Sequence, residues 1–206
     1  AFNVGSDNLD SGNDVSGGAG AAVTVTSNAS ITATGFGIAV YSAGGHGSKA
    51  GTTSGTAGDG GSGGAVTISV LRNVSAGTGP AVFGASYGGG GGRTGKLGRG
   101  GGAGAVTLSF ANSVTSVTSQ NTGALFQSPL ADPIVSGSAA AAISYGGDAY
   151  RDDGGNASNV SITAVNAEGT RFTAGGANSP AIFARSYGGI GNASGYTGGT
   201  AGNSAV

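Results

Sequence analysis

Four times the chain ends a short apolar stretch on serine and runs straight into glycine: GIAVYSAGG, AVFGASYGG, AAAAISYGG and AIFARSYGG, with the serines at Ser42, Ser86, Ser144 and Ser186. The spacings are 44, 58 and 42 residues. A second phrase keeps the same rhythm, AVTVTS from Ala22, AVTISV from Ala65, AVTLSF from Ala105 and NVSITA from Asn159. Between them stands a third: SITAT at 30–34, NVSAGTG at 73–79, SVTSVT at 113–118 and RFTAGG at 171–176. One unit thus reads as strand, strand, strand, glycine-rich tract. A repeat of this length signals an array in which each unit buries its apolar face only against its neighbours.

The phrases alternate apolar and hydroxyl residues with period two, the mark of a strand with one buried face. No helix-period stripe is present, and glycine interrupts every window long enough to hold one. Even AAAA at 139–142, which has helical propensity, aligns with AVFGAS and reads as strand. Glycine supplies 47 of 206 residues against about 7% in average proteins. The expected fold is all-β, a repetitive β-solenoid (parallel β-helix) with glycine-rich tracts between strand triplets, ahead of a sandwich or barrel.

The units run over 17–62, 63–102, 103–156 and 157–203, after an acidic lead-in at 1–16 and before the start of a further unit at 204–206. Val206 falls in phase with Val23, which suggests a segment of a longer array or a subunit that stacks end to end. The long third interval is explained by an insertion over 127–141, a loop or extra strand carrying Pro129 and Pro133. Removing 15 residues there restores the period and makes Phe126 the counterpart of Phe83 and Phe183. Phe83, Phe126 and Phe183 are therefore expected to stack from unit to unit, with Tyr87, Tyr145 and Tyr187 forming a column at the strand exit. The glycine tracts at 43–64, 87–104, 145–159 and 187–204 read equally as loops or as ordered layers in which glycine lets backbones approach.

Several function classes are disfavoured. Only 8% of residues are charged and the net charge is −1, so no global field points to nucleic acid or anionic lipid. Cysteine is absent, which removes disulfides, thiol catalysis and thiolate metal sites together. No apolar run is long enough to cross a membrane as a helix, and no signal peptide is visible. GGGGGRTGKLG lacks the Lys-Ser/Thr ending of a phosphate loop.

Units such as SGGAVTIS…VSAGTGPAVFGASYGGGGG resemble the glycine-rich repeats of very large bacterial autotransporter and adhesin passenger domains, over about residues 17–206. The resemblance implies a secreted, surface-attached β-helix that serves as a stalk or adhesin. The family's membrane-embedded C-terminal barrel has no counterpart in this sequence.

Residues with possible chemistry are few. His46 in GGHG and the pair Asp152-Asp153 bring to mind β-helix hydrolases, which need two carboxylates close together; the order is reversed here and further signature elements are missing. GSDNL, with Asp7, Asp10 and Asp14, matches half of a calcium-binding nonapeptide. Arg93, Lys96 and Arg99 could meet polysaccharide, and without interleaved aromatics they do not suit nucleic acid. Asn28, Asn73, Asn156, Asn159 and Asn192 open Asn-x-Ser sequences that read as turn and ladder residues. Thr-x-Thr at 24–26 and 32–34 has the form used by ice-binding solenoids, but later units read TIS, TLS and SIT, so a pure threonine ladder is not kept. The sequence thus points to a non-catalytic extracellular rod on a bacterial surface, self-associating by end-to-end or lateral stacking and open to surface glycans. The alternatives are a solenoid that binds ice, glycan or calcium and, more remotely, a carbohydrate-active enzyme.

Overall fold

The computed structural model describes residues 1–7, 14–50, 55–92, 98–121, 126–127, 133–134, 137–150, 152–166, 168–175, 179–191 and 195–206. All elements in this part are strands. Each unit lays down three, and like strands of successive units pair in parallel, so the fold is a solenoid-like stack of three sheets.

The first sheet holds β2 (Val23–Ser27), β5 (Val66–Val70), β8 (Val106–Phe110), β13 (Val160–Ala164) and β16 (Ser204–Ala205). The second holds β3 (Ile31–Ala33), β6 (Val74–Ala76), β9 (Ser116–Ser119) and β14 (Arg171–Thr173). The third holds β1 (Phe2–Val4), β4 (Ile38–Ala43), β7 (Val82–Tyr87), β12 (Ala140–Tyr145) and β15 (Ile182–Tyr187). Register repeats residue for residue: Thr67 pairs with Thr24 and Thr107, and Ser144 with Ser86 and Ser186. A slip of one residue would turn each buried valine outward, so burial fixes the alignment.

The three sheets enclose one apolar core. Val66, Ile68, Val106, Leu108, Val160 and Ile162 come from the first sheet, Val74 and Val117 from the second, Val82, Ala140 and Ala142 from the third. Large and small side chains complement each other across it. A Cβ on Gly84 would already touch Leu108 and Val106 at 3.0–3.1 Å, so the third sheet keeps glycine where the first sends its longest side chains. The same position in the next unit is Ala142. Phe110 closes the far end edge-on against Phe172, centroids 5.0 Å apart. The third sheet also carries a second cluster on its other face, with Phe83, Ala85, Tyr87, Ala141 and Ile143 buried. Its strands are therefore near-continuously apolar, as parallel strands buried on both faces are.

The described parts of the glycine tracts are ordered by hydrogen bonds between neighbouring segments. Gly44 and Gly47 donate to Tyr87 and Gly90 of the outgoing tract in the next unit, at 2.9 and 3.0 Å. Gly45 and Ser48 donate to Gly18 and Val15 of a returning tract, at 2.8 and 2.9 Å. The N–H of His46 goes to the Asp7 carboxylate. Three successive residues thus aim at three different neighbours and the fourth repeats the first. That is the geometry of the polyproline II helix, with about three residues per turn and no hydrogen bond of its own. Bonds zigzag through the layer from Gly45 to Gly18, Gly61 to Gly45, Gly89 to Gly61, Gly101 to Gly89 and Gly147 to Gly101, each 2.8 Å. A Cβ on Gly61, Gly89, Gly101, Gly147 or Gly155 would lie 1.9–2.1 Å from a neighbouring carbonyl oxygen, which no side chain tolerates.

Two expected boundaries shift. The described start of the chain is more than a lead-in: β1 pairs with Tyr41–Ala43, and the Gly5 and Gly18 amides bond to Ala43 and Ser6, so residues 2–6 repeat the exit from the third sheet. The insertion is also placed differently. Phe126 and Gln127 form β10 (Phe126–Gln127), antiparallel to β11 (Pro133–Ile134) in a separate hairpin. The third sheet resumes only with β12, at Ala140, inside the expected 127–141 span. Phe126 therefore does not join the phenylalanine column; Ala141 stands between Phe83 and Phe183. Backbone register decided this, because Ser144 must meet Ser86 and Ser186, and counting back from it gives Ala141.

Gly89→Ala is expected to destabilise the protein by about 3 kcal/mol or more through backbone overlap. Gly35→Ala, where nothing lies within 4 Å, should stay within about 0.5 kcal/mol of wild type. Urea unfolding of the two variants side by side tests this.

Candidate functional site

The recurring serine is the most constrained polar group in the stack. Ser42, Ser86 and Ser144 are fully buried at the end of the third sheet, where the chain leaves for its glycine tract. Each hydroxyl bridges two returning segments just before they enter the first sheet. Ser42 Oγ donates to the Ala21 carbonyl and accepts from the Gly64 amide, at 2.8 and 2.9 Å. Ser86 does the same between Gly64 and Gly104, at 2.8 Å each. Ser144 joins Gly104 and Ser158, and Ser186 joins Ser158 and Gly202. One hydroxyl supplies the donor and the acceptor that the backbone lacks there. With its donor and its acceptor both engaged by backbone, the hydroxyl staples two returning segments together.

Asparagine and aspartate form a second set of ladders along the solvent side of the tracts. Asp153, Asn156 and Asn159, spaced by three, accept the backbone N–H groups of Thr197, Thr200 and Asn203, at 2.8–2.9 Å. Asp59 does so for Arg99, Asp148 for Ile190, Asp7 for His46 and Asn3 for Ala21. The N–H that faces water on a polyproline II turn thus meets a side chain of the preceding unit. Asn73 plays the same part between strands, accepting from Thr115 and Ser116. His46 belongs to this set as well, since its Nδ1 accepts the Gly90 amide at 3.1 Å.

The expected chemistry can be placed against this. His46 is exposed and bonded to Asp7 and Gly90; none of the described contacts joins it to Asp152 or Asp153. Asp152 is buried, takes the Asp153 amide at 2.7 Å and lies 3.6 Å from Arg99. The Asp153 carboxyl is held below its ordinary value of 3.8, first by the Thr197 amide and then by the Thr197 hydroxyl. Asp7 and Asp14 are described and Asp10 lies outside the described residues; Asp14 adopts φ 56°. Among the described residues no group of three or more His, Cys, Asp or Glu gathers to hold a metal. Arg93, Lys96 and Asn192 also lie outside the described residues. Asn28 is exposed at the end of β2.

The tyrosines align in register, Tyr145 with Tyr87 and Tyr187, while the first unit has Ala43 there. The Tyr145 and Tyr187 rings lie 4.2 Å apart, Arg185 sits 4.3 Å over Tyr187, and the Tyr145 hydroxyl bonds Asp148. Phe83 is buried, Phe183 half-buried. Threonine and serine line the outer face of the first sheet in two columns, Thr24–Thr67–Thr107–Ser161 and Thr26–Ser69–Ser109–Thr163. The hydroxyl is kept through β2, β5, β8 and β13 although threonine is not, and Ala205 of β16 follows Ser161. Among the described residues no helix is long and apolar enough to cross a membrane.

Compared with family models, curated proteins and solved structures, the chain matches none of them.

The Asx ladders were hidden in the sequence behind their spacing. Asp153, Asn156 and Asn159 keep period three inside a tract, and their partners follow 44 residues later. That double spacing is the signal that finds them.

Ser86→Ala is expected to destabilise by about 2–4 kcal/mol, since it orphans the Gly104 amide and the Gly64 carbonyl together; chemical denaturation measures it. A carboxylate whose pKa is lowered on folding stabilises the fold above its unfolded value and loses that contribution as pH falls through the folded one. Below pH 3.8, stability should thus decline less steeply in Asp153→Asn than in wild type, followed by unfolding midpoints across an acid series.

Proposed function

We propose that the chain is a non-catalytic stretch of an extracellular bacterial rod, a parallel β-helix whose work is architectural and whose lateral faces and tract tips meet the surroundings. The observation that carries this reading is the fate of the polar groups. Ser42, Ser86, Ser144 and Ser186, which every unit repeats at the exit of the third sheet, are engaged on both sides by backbone. The carboxylates of Asp7, Asp59, Asp148 and Asp153 cap amides of the following unit. A glycosidase would need a carboxylic acid and a carboxylate facing one substrate; Asp152 and Asp153 instead bond to their own backbone and to Thr197.

A rod is also what this geometry builds most readily. Each unit contacts only the units before and after it, so length grows without a change of cross-section. Strands β2 and β3 at one end and β14 and β15 at the other have a partner on one side only. Their free edges suit further coils of the same protein or of a second copy. The resemblance to autotransporter and adhesin repeats supports a place on the bacterial surface and, with it, adhesion.

Negative-stain microscopy at rising concentration should show elongated rods or filaments; compact monodisperse particles would count against stacking. Incubation with polygalacturonate should release no reducing ends. Hydrolysis that disappears in Asp152→Asn would overturn the non-catalytic reading.

A further inference from the structure

We propose that the outer face of the first sheet is an ice-binding surface. Its two hydroxyl columns, Thr24–Thr67–Thr107–Ser161 and Thr26–Ser69–Ser109–Thr163, run unbroken through four units. Neighbouring members of a column are set by the strand spacing, about 4.8 Å, and the two columns by two residues of strand, roughly 6.6 Å. The result is a grid of eight hydroxyls on parallel backbones, all exposed or half-exposed.

The chemistry of the grid selects its partner. Each hydroxyl is at once donor and acceptor, as each surface oxygen of ice is. No charged residue stands in either column, so no ion holds a hydration shell that would have to be stripped. The threonine methyls add small apolar patches between the hydroxyls. The Ser69 and Ser109 hydroxyls lie 3.3 Å apart and those of Ser161 and Thr163 3.4 Å, so these four lean toward one another and off the backbone spacing. Thr24, Thr67 and Thr107 keep the backbone spacing and, among the described residues, have no hydroxyl bond along the face, so they are left to bond outward. A surface already fixed by backbone ladders loses little freedom on meeting a rigid lattice.

Other occupants fit less well. Sugar rings are gripped by aromatic faces, and neither column holds an aromatic residue. A second copy of the chain would find roughly 300 Å² here, from four strands of five residues, against about 800 Å² per partner in stable complexes. Ice has no such threshold, because contacts add with every unit of the array.

The test is ice partition: the chain is frozen slowly onto a cold surface, and the share of protein in ice and in liquid is measured, with thermal hysteresis recorded in parallel. Wild type should be enriched in the ice. Thr67→Lys, at the centre of the grid, should lose most of that enrichment. Thr118→Lys, on the outer side of the second sheet, should keep it, and circular dichroism shows whether both variants stay folded. Exclusion of wild type from ice, or equal enrichment of Thr67→Lys, would overturn the proposal. Pull-down on microcrystalline cellulose or chitin, lost in Thr67→Lys while ice partition is absent, would replace ice by polysaccharide. A dimer in sedimentation that Thr67→Lys abolishes would replace it by a second copy. None of these outcomes touches the rod reading, which rests on the buried serines.

Discussion

The stack depends on one constraint: a glycine tract in polyproline II form satisfies none of its own backbone groups. Fixing each residue costs roughly 1–2 kcal/mol of conformational entropy, and a lone tract has nothing to offset it. Only neighbours on every side can. The zigzag from Gly18 through Gly45, Gly61, Gly89 and Gly101 to Gly147 supplies them, alternating between outgoing and returning tracts. Bonds of 2.8 Å across that seam bring the backbones so close that a Cβ has no room. Glycine is required here for approach, and its abundance follows from the lattice rather than from looseness.

The lattice and the sheets are coupled through the serine staple. Ser86 ends a strand of the third sheet, yet its hydroxyl bonds Gly64 and Gly104, the residues that lead into the first sheet in two successive units. Breaking it would loosen the tract at its root and the strand at its end together. The core adds the complementary fit. Ile68 and Leu108 reach across from the first sheet, and the third sheet answers with Gly84 and Ala142. Short side chains on one wall make possible long ones on the other, and the tract can then leave without a bulky neighbour in its way.

Much of this was legible in the sequence, for a definite reason. Strand triplets with period two and a period near 43 residues specify a parallel stack almost uniquely, because pairing of like with like turns Val66, Val106 and Val160 into the core together. The order of the glycine tracts was not legible. Composition reports that backbones can approach, whereas partners come from the folded path of other units. The same limit explains Phe126. Its likeness to Phe83 is local, while its place was decided by Ser144, whose staple fixes the register of β12. His46, Asp7 and Asp153 looked like chemistry because isolated titratable residues in glycine draw attention. In the fold each meets a backbone amide that would otherwise face water alone.

What a chain of this design can do follows from where its freedom lies. Buried positions are bound by packing, tract positions by the absence of a Cβ, and the Asx positions by amides of the next unit. The outward positions of β2, β5, β8 and β13 carry few of these obligations, and still they hold a hydroxyl at all eight places. Strand propensity favours threonine over alanine there but gives no reason for serine, and charged residues would serve solubility better in a chain with so few of them. A repeated hydroxyl that neither the core nor the lattice demands is what the proposed ice-binding face would require. A ligand of that face would meet a fixed backbone spacing, so it would itself have to be periodic or large. Affinity for such a ligand would come from the number of units in line, and the length of the array would be the variable that tunes it.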